Sequence, residues 1–135
     1  MKISTRGRYA FRLMLNLASK YKDNEYISLT EISNEEGISL KYLEKIISLF
    51  KKKDYFITSR GVDGGYKLAY PPSEYKIGDI LRTAEGDMAP VSCLHDDFKC
   101  PIKDKCNRLS LYKDLDEVIN NFLDSKTLED YMEKR

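Results

Sequence analysis

The sequence predicts a mostly α-helical chain carrying one small β-hairpin, and three stretches predict it. The first is 28–50. Ser28 followed three residues later by Glu31 has capping-box spacing, in which the serine oxygen accepts an orphan helix N–H and the carboxylate returns to the serine N–H. A short helix therefore starts at Leu29 and stops at Gly37, which can take the positive φ of a sharp turn, and Ser39 caps the next helix. In that second helix Leu40, Leu43, Ile46, Ile47 and Phe50 form one apolar stripe, leaving Ser39, Lys41, Tyr42, Glu44, Lys45 and Ser48 on the other side. The second stretch is an alternating pair, 55–59 and 66–69, closed around Asp63-Gly64-Gly65, where the Asp-Gly pair supplies positive φ. The third is the apolar spacing that returns from Asn107 onward.

Two short helices joined by a glycine turn, the second polar and cationic on its outer face, match the arrangement that lays one helix in the DNA major groove. An ordinary helical hairpin with a solvated face has the same spacing. A hairpin directly after the second helix is the wing of a winged helix-turn-helix. Arg60 stands at its base, placed to enter the minor groove or grip phosphate, or simply solvated.

The remaining elements follow in order. Tyr9, Ala10, Leu13, Met14, Leu17 and Ala18 make a first amphipathic helix over 5–21, with Arg6, Arg8 and Arg12 at its start as phosphate candidates or solvated surface. Lys51-Lys52-Lys53 ends the recognition-type helix, where cations complement the negative helix terminus. Pro71-Pro72 closes the wing, and a helix from Ile77 to Glu85 ends at Gly86. Residues 87–105 have no helical or strand period, and a structureless segment of that length is uncommon unless it has a task. Beyond it, Leu111, Leu115, Val118, Ile119, Phe122 and Leu123 form a stripe that needs covering by its own domain or by a second copy. A two-fold DNA site favours the second copy, which makes this a long dimerisation helix. Thr127 with Asp130 starts a short final helix. The expected division is 1–86 as winged helix-turn-helix domain, 87–106 as cysteine-containing sensor loop, and 107–135 as dimerisation helix and short C-terminal helix.

At 135 residues, 41% apolar and 33% charged, the chain fits one globular domain with an extension. No run is long enough to span a bilayer, and the first residues are too basic and interrupted for a secretion signal, so no membrane partner is expected and the cytoplasm is the expected location. The net charge of +1 conceals an asymmetry: residues 1–70 carry 13 Lys or Arg against 8 Asp or Glu, and residues 71–135 carry 10 against 14. Positive charge thus lies with the helix pair and hairpin, as a phosphate-facing surface requires. The field is modest, so affinity should fall with salt less steeply than for a strongly basic protein.

Cys93, Cys100 and Cys106 are separated by six and five residues. In a reducing compartment they argue for metal or redox chemistry over a disulfide framework. Thiolates are soft ligands suited to iron–sulfur clusters; a structural zinc and a cluster-free thiol switch use the same residues. An enzyme is not indicated. The lone His95 has no paired nucleophile at a recognisable spacing, and neither a phosphate-cradling glycine loop nor a metal-hydrolase motif is present.

Several motifs together resemble one family of regulators, the one containing IscR, NsrR and CymR. They are Met1-Lys-Ile-Ser-Thr-Arg-Gly-Arg-Tyr-Ala, the stretch Ile-Ser-Leu-Lys-Tyr-Leu-Glu-Lys-Ile-Ile-Ser at 38–48, Arg60-Gly-Val-Asp-Gly-Gly-Tyr-Lys-Leu, Gly78-Asp-Ile-Leu-Arg, Ala89-Pro-Val-Ser-Cys and Leu123-Asp-Ser-Lys-Thr-Leu. The resemblance covers essentially the whole chain. It implies a winged helix with a long helix crossing to a partner subunit, a homodimer bound to palindromic promoter DNA, and DNA contacts from Ser39, Lys41, Tyr42, Glu44, Lys45 and Arg60. Lys45 stands where relatives often have glutamine. Gly64 and Gly65 would serve the wing turn. Cluster-binding members place three cysteines in this loop, which implies an iron–sulfur cluster on Cys93, Cys100 and Cys106 and leaves its nuclearity open. The fourth ligand departs from the pattern. Leu109 occupies the position of the IscR-type histidine, and Arg8 stands near that of the NsrR-type acid, leaving His95, Asp96, Asp97, Asp104 or an external thiol. The implied function is a regulator sensing iron–sulfur status, oxygen or nitric oxide. The alternatives are a cluster-free regulator sensing thiol redox state, a metabolite or a partner protein, and a winged-helix protein-interaction module.

Overall fold

The computed structural model describes residues 2–95, 99–102 and 105–132. Helix α1 (Thr5–Ser19) starts at Ser4, whose hydroxyl accepts from the Gly7 N–H. It forms the axis of the fold, with Ala10, Leu13, Met14, Leu17 and Ala18 buried as the apolar spacing requires. Leu15 and Asn16 are buried too, because α1 is packed by other elements on more than one side. Helices α2 (Leu29–Glu36) and α3 (Leu40–Leu49) follow, joined through Gly37 at φ 68°. Ser28 accepts from Glu31 N–H at 3.1 Å and Ser39 from Tyr42 N–H at 3.2 Å, so each serine satisfies an orphan donor. The expected return bond from Glu31 to Ser28 N–H is not formed among the described residues. The reverse half of such a box occurs at Thr127, whose N–H donates to Asp130 at 2.8 Å. Leu43, Ile46, Ile47 and Phe50 are buried, whereas Leu40, expected with them, lies exposed in the first turn between Ser39 and Lys41. The last turn of α3 carries no basic residue; the three lysines follow Phe50, in the turn toward the hairpin.

Strands β1 (Phe56–Ser59) and β2 (Gly65–Leu68) pair antiparallel, with Phe56 opposite Leu68 and Ser59 opposite Gly65. Positive φ falls at Gly61 and Gly65, not at Gly64 as the Asp-Gly pair suggests. Gly65 serves more than the turn: a β-carbon there would overlap the Ile27 carbonyl oxygen. Its absence lets Ile27 and Tyr66 exchange both backbone hydrogen bonds, each 2.8 Å, which docks the wing against the segment entering α2. Beneath the hairpin, Phe50, Tyr55, Phe56 and Tyr66 pack edge-on or tilted. Tyr75 joins them, donating to the Tyr55 carbonyl at 2.7 Å and accepting from Tyr70 N–H at 3.2 Å.

Helix α4 (Ile77–Glu85) ends at Gly86 as its apolar pattern predicts. A connection that includes the 3₁₀ turn Ser92–Leu94 leads to α5 (Leu109–Asp124). The stripe expected on α5 divides. Leu123 packs against the core and Ile119 is half-buried, while Leu111, Leu115, Val118 and Phe122 are 65, 44, 64 and 55% exposed. Arg82 on α4 holds α5 by donating to the Asn120 side chain at 2.8 Å and by pairing with Asp124. The crossing is close because residue 78 is glycine; a β-carbon there would overlap the Asp124 carboxylate. The chain then returns to the body. Ile77 N–H donates to Lys126 O at 2.9 Å, Leu128 N–H to Tyr75 O at 3.1 Å, and Leu128 is fully buried. Helix α6 (Glu129–Met132) lies against α1, with Tyr131 edge-on to Phe11.

Candidate nucleic-acid interface

Burial of Leu43, Ile46 and Ile47 fixes which face of α3 points outward. Ser39, Lys41, Tyr42, Glu44 and Lys45 together line one open recess on that face. Lys41, Glu44 and Lys45 are exposed, and Lys45 Nζ lies 5.8 Å from the centre of the Tyr42 ring. The face thus offers two cations, one carboxylate acceptor and a phenol. Arg60, one residue beyond β1, is exposed and makes no hydrogen bond or ion pair among the described residues; it does not line the α3 recess. Two of the α1 arginines are less free. Arg8 donates to Thr5 at 3.0 Å, and Arg12 donates to the Glu36 carbonyl and pairs with its carboxylate at 3.4 Å.

One feature was not anticipated from the sequence. Tyr9, Arg12, Asn16 and Lys20, spaced three, four and four residues along α1, share a seam that meets the helix pair. Tyr9 is edge-on to Tyr42, Asn16 donates to Glu36 at 2.8 Å and to Glu35 at 3.2 Å, and Lys20 pairs with Glu35. The Lys20 ammonium, hydrogen-bonded to the Glu35 carboxyl, holds it below its usual range. The signal that could have revealed the seam is Glu35-Glu36 at the end of α2, an acidic pair in a chain whose first 20 residues, α1 included, carry no acid.

The cysteines lie on the connection between α4 and α5. All three are free and partly buried. Arg108 holds the Cys106 thiol below its ordinary range, first through its backbone N–H and then through its guanidinium, and Cys93 also lies within the electrostatic reach of that guanidinium. His95 pairs with Asp87, whose other oxygen accepts from Ala89 N–H at 2.7 Å. Asp96, Asp97 and Asp104 lie outside the described residues. Three unpaired soft donors on one connection suit an iron–sulfur cluster. Among the described residues no three His, Cys, Asp or Glu side chains converge on a common point, so binding would require this connection to rearrange.

A helical core whose third helix exposes a polar, cationic face, followed at once by a two-stranded wing, defines a winged helix-turn-helix protein of the kind that reads duplex DNA. Comparison with known proteins makes the assignment specific. The chain belongs to the Rrf2 family, whose model, described as an iron-dependent transcriptional regulator, matches residues 3–134. Protein rrf2 of Nitratidesulfovibrio vulgaris is 33% identical, covering 98% of this chain and 87% of its own length. The transcriptional regulator IscR of Aliivibrio salmonicida is 33% identical, covering 98% and 77%. The solved structure of CymR, the global cysteine regulator of Bacillus subtilis, superposes with a TM-score of 0.81 at 34% identity, covering 100% and 98%. IscR and CymR are named as regulators, and the chain is a transcriptional regulator of this family. Among the described residues no helix is long and apolar enough to cross a membrane.

Proposed function

We propose that the protein is a cytoplasmic homodimer that binds a palindromic promoter duplex, placing paired α3 helices in major grooves about one helical turn apart. Ser39, Lys41, Tyr42, Glu44 and Lys45 read or position on base pairs, and Arg60 contacts DNA from the wing. The observation that carries this reading is the outward face of α3, where all five side chains border one recess while the opposite face is sealed in the core. Glu44 suits cytosine N4, since a carboxylate accepts there and is repelled by phosphate. The homodimer is supported by the uncovered stripe Leu111, Leu115, Val118 and Phe122, whose four-three-four spacing is that of a helix-pairing seam.

Cys93, Cys100 and Cys106 hold an iron–sulfur cluster in this proposal, with His95 as a candidate further ligand once it leaves Asp87. When bound, the cluster supplies sensitivity to oxygen, nitric oxide or iron supply. The protein's own part is coupling. The cysteine connection leads directly into α5, Arg82 ties α5 to α4, and α4 packs on α1 and α3. Order in the connection thereby biases the spacing of the two recognition helices. A second reading, a cluster-free regulator responding to thiol redox state, is favoured by one observation, the Arg108 guanidinium beside Cys106.

The test is anaerobic purification followed by absorbance, iron and sulfide counts, and binding to duplexes selected from a random pool. The expected result is a brown protein whose visible absorbance is lost on Cys93→Ala, Cys100→Ala or Cys106→Ala, and which prefers one palindrome. Arg60→Ala should weaken that binding by about 1–3 kcal/mol as a base contact. A colourless, iron-free anaerobic preparation overturns the cluster, and equal affinity for every duplex overturns the DNA reading.

A further inference from the structure

The seam along α1 connects the recognition face to the interior through a ladder of two rings with a cation at each end. Lys45 Nζ stands 5.8 Å from the Tyr42 centroid, Tyr42 meets Tyr9 at 5.4 Å and 74° between planes, and Arg12 lies 5.3 Å from the Tyr9 centroid. Arg12 is itself fixed at its guanidinium by the backbone and carboxylate of Glu36. Glu36 is the last residue of α2, is 7% exposed, and also accepts from buried Asn16 at 2.8 Å. One side of α1 therefore grips both helices of the pair, α2 at its end through Arg12 and Asn16, and α3 at its first turn through Tyr9.

We propose that Tyr9 and Arg12 are positioning residues for sequence selectivity, and that Arg12 does not serve as a phosphate contact. A ring pair at this geometry is a directional contact, favoured over other orientations by the ring quadrupoles. With Tyr9 behind it, Tyr42 keeps one orientation, and its ring gives Lys45 a preferred place through cation–π attraction. Base readout depends on such orientation, whereas phosphate attraction depends mainly on charge number and distance. Removing the ladder should thus lower the preference for the right sequence and leave general DNA affinity intact. Glu36 takes two of the five guanidinium N–H donors of Arg12 and the Tyr9 ring lies beside it, so contacts within the chain already set its place.

This inference rests on the proposal that α3 reads DNA, and its test separates the two. The full-length chain and its Tyr9→Phe, Tyr9→Leu and Arg12→Met variants are titrated against a duplex selected by the unaltered protein and against a scrambled duplex, over a range of salt. Thermal melts establish that each variant is folded, and Arg12→Met serves if Tyr9→Leu is not. Tyr9→Phe keeps the ring and should retain selectivity. Tyr9→Leu and Arg12→Met should lower the ratio of selected to scrambled affinity on the order of tenfold across two half-sites, with affinity for the scrambled duplex and the salt slope unchanged. A salt slope reduced by about one per subunit in Arg12→Met, with selectivity intact, would make Arg12 a phosphate contact and overturn its positioning role. Unaltered selectivity in a folded Tyr9→Leu overturns the role of Tyr9 alone. Absence of selectivity in the unaltered protein overturns the DNA reading and this inference with it.

Discussion

Phe122→Ala tests whether the exposed seam of α5 is where two copies meet. Phe122 is 55% exposed in a single chain, so a partner subunit could cover about half of its surface. Fully burying a phenylalanine side chain is worth about 1.5–3 kcal/mol, which makes the covered half worth roughly 1–1.5 kcal/mol. In a two-fold interface the residue counts twice, so truncation should weaken the dimer by roughly 2–3 kcal/mol, a rise in dissociation constant of about 30- to 140-fold. The stacking of Lys126 over the Phe122 ring is lost as well, but it lies within one chain and does not depend on protein concentration. Sedimentation velocity across a dilution series reads the constant directly. Leu128→Ala is the control, since that side chain is fully buried inside the chain and its loss should lower the melting temperature without this effect on dimerisation. A dimer constant unchanged by Phe122→Ala, or an unaltered protein that remains monomeric at working concentrations, would refute the assignment of the seam.

Three further outcomes are expected. Gly65→Ala should destabilise the fold by several kcal/mol in urea unfolding, because the positive φ and the overlap with the Ile27 carbonyl act together; a wild-type midpoint would show that the wing does not need this close approach. Burial pushes the Tyr75 hydroxyl up to about 12. The unfolded chain releases this proton near pH 10 and the folded chain keeps it, so the stabilising contribution is complete below pH 10 and is lost as pH rises toward 12. Urea midpoints between pH 9 and 12 should fall accordingly, and Tyr75→Phe should flatten that decline while losing about 1–2 kcal/mol at neutral pH through the unpartnered Tyr55 carbonyl. Arg108→Ala should move the pH at which Cys106 becomes alkylated upward, as mapped by mass spectrometry after iodoacetamide pulses. An unshifted profile would remove the Arg108 guanidinium as a cause of the depressed thiol and leave its backbone N–H, which the variant retains.

What could be read from the sequence was whatever local chemistry decides. Ser28, Gly37 and Ser39 mark the helix pair because caps and a left-handed turn act within a few residues, and Ile77 to Glu85 was bounded by its own apolar pattern and Gly86. The outward residues of α3 followed from its buried ones. What the sequence concealed depends on partners distant along the chain. Arg12 reads as a phosphate candidate or solvated surface, and only the placement of α2 shows its contact with Glu36 and the burial of Asn16. The α5 stripe reads as one surface, and only α4 and the returning segment show that Leu123 belongs to the core while Phe122 does not. The constraint at Gly65 comes from the backbone of residue 27 as well as from the turn, which the Asp-Gly pair does not show. The three cysteines could be named from the sequence as candidate donors but not placed, since a segment without period carries no rule for where its side chains point.

The return of the chain to its own body has a consequence for biosynthesis. Phe11, made early on the ribosome, receives its ring partner Tyr131 only after some 120 further residues have been joined. Until positions 128–132 have left the exit tunnel, the nascent α1 keeps an uncovered apolar flank, so a recognition helix that has already been synthesised sits on an unfinished support. Completion of the packing around α1 is therefore tied to translation of the segment beyond α5, and a chain halted within α5 would stay open to chaperones and proteases.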